Sequence, residues 1–362
     1  MNDSQRALLR LHLTPGLGRV ALFKLHRYFG NFPAALTAPP QQLQQAGLTQ
    51  RQINQIPKDS DKVFQTACQL IGKLQIRLLS FWDQDYPSLL QQIHDPPALL
   101  YLRGELPQND CFAIVGSRRA TPGGQQLTRK LANTLAQHDI CVVSGLACGI
   151  DSAAHRGALE AHGRTIAVLG CGVDQIYPRE NRRLYDEILT ENAIISEYPL
   201  GTPPLAGHFP GRNRIISGLS HGVLIVEAAE GSGSLITGDF ALEQGRELFA
   251  SPGAVQNPTS KGVNRLIKEG AQVVTEAEDI LHNLWPKRLS RSGQKAIDQF
   301  AEQLSGNTLK LYRQLSHEPL HIDEIGRKCG LTPMEVSAIL LDLELQGGVQ
   351  MLPGNSYIRG QL

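Results

Sequence analysis

The sequence contains no run of about eighteen apolar residues, so it offers no candidate for a membrane-crossing helix. Its N-terminus, MNDSQRALLRLHLTPG, lacks the long apolar stretch of a secretory signal. Both absences point to a cytoplasmic protein with no membrane contact. CxxC motifs and Cys–His clusters are also missing. The six cysteines, at 68, 111, 141, 148, 171 and 329, are scattered and lie mostly in apolar contexts. This favours buried thiols in a reducing compartment over disulfides or zinc. Nor is there an excess of charge of one sign. Thirty-five Lys and Arg against thirty-four Asp and Glu leave a net charge of +1, so any nucleic-acid site must be local. What remains is an ordinary globular composition, 41% hydrophobic and 19% charged, long enough for about two or three domains.

The most informative stretch runs from Phe209 to Ala241. Its middle, residues 222–226, is a β-branched apolar run of the kind buried on both faces of a parallel sheet. The run ends at Glu227 and opens into Gly231-Ser232-Gly233-Ser234, ahead of a helical pattern over 235–244. A glycine-serine turn between a strand and a helix N-terminus presents backbone N–H groups and hydroxyls to an anion, most often phosphate. Just upstream stand Phe209, Arg212, Asn213 and Arg214, with Pro210 and Gly211 expected to hold the ring on a turn. An aromatic beside arginines and a phosphate cradle suits a nucleotide or a single strand of nucleic acid, where bases stack and phosphates are neutralised.

Around this stretch the organisation predicts an α/β fold with a doubly wound parallel sheet. Strand patterns at 112–115, 140–143, 165–169, 193–195, 222–226, 248–250 and 271–274 alternate with helical ones such as 123–138 and 150–162. Ligands of such sheets bind at the strand carboxyl ends. Those ends carry Gly116-Ser117-Arg118, Ser144-Gly145, Gly170-Cys171-Gly172 and Ser196-Glu197. Residues 1–70 read as a separate helical domain containing Pro15-Gly16-Leu17-Gly18, a helix-hairpin-helix pattern, and eight basic residues against three acids. Residues 71–285 form the sheet domain and 286–304 a linker. Residues 305–362 follow the helix, helix-turn-helix, hairpin order of a winged helix. The third helix of that module carries Glu335, Asp342 and Glu344 and no Lys or Arg, which points to a winged helix for protein contact or one without strong DNA affinity.

Asp151 and His155 stand four residues apart, the spacing of a helical pair. No hydroxyl is obviously placed as their nucleophile, so a dipole-capping Asp and a hydrogen-bonded His are expected. Glu197 and Glu227 follow strand ends, where a carboxylate either orders arginines or does acid/base work, two roles that the spacing does not separate. Gly170-Cys171-Gly172 lacks the third glycine of a dinucleotide fingerprint, so no cofactor is expected.

Taken together, VGSRRATPGG (115–124), SGLACGIDSAAHRGAL (144–159), TIAVLGCGVDQIYPRENRRL (165–184), SEYPLGTPP (196–204), FPGRNRIISGLS (209–220), VEAAEGSGSLITGDFAL (226–242) and ASPGAVQNPTSKGVNRLIKEGA (250–271) resemble the DNA-processing protein A family (DprA, also called Smf). The resemblance implies a non-enzymatic protein with an extended Rossmann-like domain. It implies binding of single-stranded DNA, self-association as a dimer, and handover of the strand to the RecA recombinase in natural transformation. Carried over by position, Gly116, Ser117 and Arg118 form the phosphate-contacting loop, Arg179 is a basic DNA contact, and Phe209 stacks on a base beside Arg212, Asn213 and Arg214. The Ser232-Gly233-Ser234 turn completes the site. Two positions depart from the family pattern: Cys148 and Asp239 stand where arginines are expected, leaving the site less basic. The rival reading, a nucleotide hydrolase similar to the lonely-guy and lysine-decarboxylase-like enzymes, needs an acid after PGGxGT. This chain has Thr237 there.

Overall fold

The computed structural model describes residues 1–289, 300–316 and 318–360. They divide into two compact units, Met1–Ile280 and Leu281–Leu362.

The first unit opens with six helices: α1 (Asp3–His12), α2 (Arg19–Phe29), α3 (Phe32–Thr37), α4 (Pro40–Gln45), α5 (Gln50–Asn54) and α6 (Lys62–Lys73). Local chemistry sets their ends. Asn2 and Gln5 form a reciprocal capping box on α1, and Thr49 and Gln52 do the same on α5. Gly30, at φ +76°, takes the left-handed position that stops α2.

Nine strands follow: β1 (Arg77–Ser80), β2 (Leu99–Gly104), β3 (Cys111–Gly116), β4 (Cys141–Ser144), β5 (Thr165–Val168), β6 (Ala193–Ser196), β7 (Gly222–Val226), β8 (Glu247–Ala250) and β9 (Gln272–Val273). Their order across the sheet is β1-β2-β6-β5-β4-β3-β7-β8-β9. Only β2 runs against the rest, pairing antiparallel with both β1 and β6. The intervening helices are α7 (Ser88–Gln91), α8 (Pro122–Gln137), α9 (Ile150–Glu160), α10 (Arg182–Glu191), α11 (His208–Gly218), α12 (Gly233–Glu243), α13 (Lys261–Lys268) and α14 (Ala277–Leu284). The chain winds outward from β3 to β6, then returns to start β7 on the other side of β3. The β3–β7 junction is therefore the topological switch point, where the crevice at the strand carboxyl ends opens. Gly116 pairs with Val226 there, so the loops after the two strands leave side by side.

Alternating side chains of the strands feed two cores. On one face Ile166, Val168, Val223 and Ile225 pack with Ile215 and Ile216 of α11 and Leu235 of α12. On the other face Leu99, Tyr101, Ala167 and Leu169 are continuous with Leu8, Leu22, Leu25 and Phe64 of the N-terminal helices. The sequence reads those helices as a domain of their own, but they share one core with the sheet.

In the second unit, helices Gly306–Gln314, Ile322–Cys329 and Pro333–Leu345 precede a hairpin of Val349–Leu352 and Ser356–Arg359, edged by Leu320–His321. Gly330, at φ +65°, ends the second helix, and a Thr332–Glu335 capping box with Pro333 starts the third. Leu311, Ile325, Val336, Leu340, Leu343 and Tyr357 fill its core. This is a winged helix. Of the expected linker, residues 290–299 lie outside the described residues.

Candidate nucleic-acid interface

The loop after β3 is built by close approach. A Cβ at Gly116 would lie 1.8 Å from the Val226 carbonyl oxygen, so only glycine allows β3 to end against β7. Glu227, at φ +50°, turns its carboxylate back to accept from the Thr121 N–H at 2.8 Å and from the Thr121 hydroxyl. The Thr121 oxygen in turn caps α8 by accepting from the Gly124 N–H at 3.0 Å. Glu227 thus fixes the loop carrying Ser117, Arg118 and Arg119 through Thr121, and not through an arginine. Both Arg118 and Arg119 are exposed.

Phe209 comes from the first turn of α11. The turn expected at Pro210 and Gly211 is helical instead. Proline is tolerated in a first turn because its missing N–H has no intrahelical partner to lose. The ring is half-buried. The Arg118 guanidinium lies 5.2 Å from its centre, that of Arg212 5.9 Å, and the Tyr177 ring 5.7 Å away at a 38° tilt.

The three polar residues after Phe209 take different roles. Arg212 is buried, and its Nη1 donates to the carbonyls of Gly145, at 2.8 Å, and Val168. Burial draws its pKa down, opposed by Asp151. Asn213 accepts from Arg212 Nε at 3.1 Å and donates to the Gly233 carbonyl at 3.1 Å, tying α11 to the glycine-serine turn. Arg214 points elsewhere: its Nε lies 2.9 Å from Asp95 and its Nη2 2.6 Å from Glu197, with 6% of its side chain exposed. Arg19 of α2 shares Asp95 at 3.1 Å. Burial pushes the Glu197 pKa up, and the Arg214 charge opposes that shift.

The glycine-serine turn caps α12. Ser232 is the N-cap, its hydroxyl 2.8 Å from that of Ser234, while Gly233 is exposed. Between this turn, the Arg118 loop and α11 runs an open groove of about 820 Å³. Gly116, Ser117 and Arg118 form one wall, Phe209, Arg212 and Asn213 the floor, and Ser232, Gly233 and Ser234 the other wall. Arg214 and Arg179 do not line it. Arg179 is exposed on a short turn, Arg179–Asn181, directly after Pro178. Pro178 borders a smaller recess of about 100 Å³ beside Phe209, which also takes in Cys148 and Cys171. Sequence reasoning passed over Arg119 and Tyr177, which also line the groove. The available signals were the doubled arginine after Ser117 and the aromatic before Pro178. Asp239 is exposed on α12 outside the lining, so the missing arginine there does not reach the groove. Cys148 does sit at the recess; burial, above all, pushes its thiol pKa up.

Asp151 and His155 do not form a dyad. Asp151 accepts from the Ala147 N–H at 3.3 Å, whereas His155 Nδ1 lies 2.7 Å from Thr165 Oγ1 and its pKa falls to about 3 through burial. Thr237 is buried in the groove lining, at the position a hydrolase would give to its acid.

The sequence profile of DNA recombination-mediator protein A matches residues 77–285, and that of the DprA winged helix domain matches residues 298–355. The chain belongs to the DprA family. It is 41% identical to Protein Smf of Escherichia coli over 325 residues, 88% of this chain and 86% of that one. It is 46% identical to the DNA processing protein DprA of Streptococcus pneumoniae over 204 residues, 56% of this chain and 72% of the other. Among solved structures, DprA from S. pneumoniae superposes with a TM-score of 0.67 at 35% identity, covering 78% of this chain and 98% of its own. The Helicobacter pylori protein, described for its single-stranded DNA binding mode, gives 0.53 at 32% identity, covering 59% and 97%.

Proposed function

We propose that this protein binds single-stranded DNA along the groove at the β3–β7 switch point and passes the strand to RecA during recombination of incoming DNA. One observation carries the reading: a half-buried Phe209 ring shares a groove with cationic Arg118 and the N-terminus of α12, where the Ser232 hydroxyl and the Gly233 N–H are the donors. A flexible strand can lay a base against the ring and a phosphate against the turn, whereas a paired base has no free face to offer. The H. pylori relative's single-strand binding supports this assignment. Arg179, exposed beyond the recess, extends the cationic path. The protein acts as a binding protein rather than a hydrolase. It works in the cytoplasm, and no helix among the described residues is long and apolar enough to cross a membrane. Self-association as a dimer belongs to the same reading, drawing on exposed apolar side chains of the first unit such as Leu242 and Val273.

The test is a titration of labelled oligo(dT) and of a duplex of equal length across a salt series, with nucleoside-monophosphate cleavage assayed on the same preparation. Tight, salt-sensitive binding of the single strand, with weak duplex binding and no cleavage, is expected. Equal affinity for duplex, or turnover of the nucleotide, would sink the reading. RecA filament assembly on the bound strand, followed with and without the protein, tests the handover.

A further inference from the structure

The third helix of the winged-helix unit, Pro333–Leu345, is apolar on two opposite faces. Val336, Leu340 and Leu343 are buried in the core of that unit. Met334, Leu341 and Leu345 are 82%, 59% and 80% exposed. At about 100° per residue, these three fall within roughly 40° of one another, with exposed Ala338 beside them. They form a continuous stripe on the side away from the core. Scattered surface leucines are ordinary, but an apolar stripe of about three turns on one helix marks a contact surface.

The borders of the stripe say what covers it. Glu335 and Asp342 lie roughly 80–100° to one side, and Glu344 about 80° to the other. The helix carries no Lys, Arg or His. Among the described residues none of the three acids is in an ion pair. Glu335 is bound to Thr332, which lowers its pKa and keeps it ionised; Asp342 accepts from Gln346 at 3.0 Å, and Glu344 lies 3.4 Å from the Met351 N–H. Duplex DNA is repelled by such a border. A second copy seated stripe to stripe would bring both sets of carboxylates along one seam, which is equally unfavourable. A helix with an apolar face and basic flanks satisfies stripe and border together.

We propose that the exposed face of Pro333–Leu345 is a docking site for a basic, amphipathic helix of a partner protein, separate from the DNA groove. The unbranched Met334 gives the stripe an adaptable end.

The test uses the full chain and a fluorescent 18-residue helical peptide with Leu and Met on one face and Lys on the others. Two control peptides are needed: one of the same composition with the face scrambled, and one with Glu in place of Lys. The patterned basic peptide is expected to bind at least tenfold more tightly than either control. L341D combined with L345D should remove at least tenfold of that affinity and leave oligo(dT) binding unchanged. The milder L341A with L345A pair, checked by thermal melting, guards against a folding defect. Equal binding of patterned and scrambled peptides would overturn the proposal. So would stripe variants that dissociate a self-assembled form seen by sedimentation, or that abolish duplex binding, since each assigns the face to another occupant.

Discussion

The Arg118 guanidinium lies 5.2 Å from the centre of the Phe209 ring. Arg212 sits at 5.9 Å from the same ring but is buried and spends its Nη1 on two backbone carbonyls. Of the two cations against the ring, only exposed Arg118 is able to turn toward a phosphate. Arg212 holds the floor.

Removing the aromatic face should therefore cost binding more than stability. Base stacking is worth about 1–3 kcal/mol by alanine substitution, so Phe209→Ala is expected to weaken oligo(dT) binding about tenfold to a hundredfold. Because the ring is only half-buried, its melting temperature should fall far less than for a core phenylalanine. Phe209→Tyr should retain affinity, and Phe209→Leu should lose most of it. A Leu variant that binds like the parent would make the ring a plug.

Arg118→Ala and Arg179→Ala should each remove one phosphate contact. The slope of log affinity against log salt is expected to become shallower by about one unit per substitution, alike for all sequences. An unchanged slope at either position removes that residue from the strand's path.

Arg214→Ala should behave in the opposite way. It leaves buried Glu197 without its ion-pair partner and Asp95 with Arg19 alone, and breaking a buried pair costs about 3–5 kcal/mol. Urea unfolding should show that loss, while the salt slope of the folded variant stays that of the parent. A shallower slope with normal stability would return Arg214 to the DNA site.

Acid should destabilise the fold through His155. Its folded pKa, about 3, lies below the ordinary 6.5, so between those values the unfolded chain binds a proton that the folded one refuses. The stabilisation is full above pH 6.5 and is lost as pH falls, by up to about 1.4 kcal/mol per unit. His12, lowered to about 4 by burial, adds the same sign. Urea midpoints from pH 7 to pH 4.5 should show a flatter dependence for His155→Asn than for the parent. An identical pH profile would mean that His155 takes up its proton in the folded state.

Much of this was readable beforehand. Parallel strands buried on both faces leave unbroken apolar runs, and the loops that follow such strands in sequence meet in space. Arg118, Phe209 and the Ser232–Ser234 turn could therefore be gathered without coordinates. The arginine pair could not be sorted by composition, yet helical geometry sorts it at once. Arg212 and Arg214 are two residues apart, about 200° around α11, so they face opposite ways. Pro210 misled because proline breaks a helix interior but not its first turn. The apolar positions of α1 and α2 marked helices without revealing that their partner is Tyr101 on the sheet.

That last contact has a practical side. The family's sheet profile starts at residue 77, an inviting place to begin a shortened protein. Cutting there would strip Leu8, Leu22 and Phe64 from the core they share with Leu99, Tyr101 and Tyr185, laying an oily sheet face open to water. Such a fragment should be sticky and poorly recovered, and a weak DNA signal from it would report damage rather than specificity. Residues 1–285, which keep α14 whole and end where the sheet profile ends, are the smaller piece to express, and the natural place for scissors is after that helix.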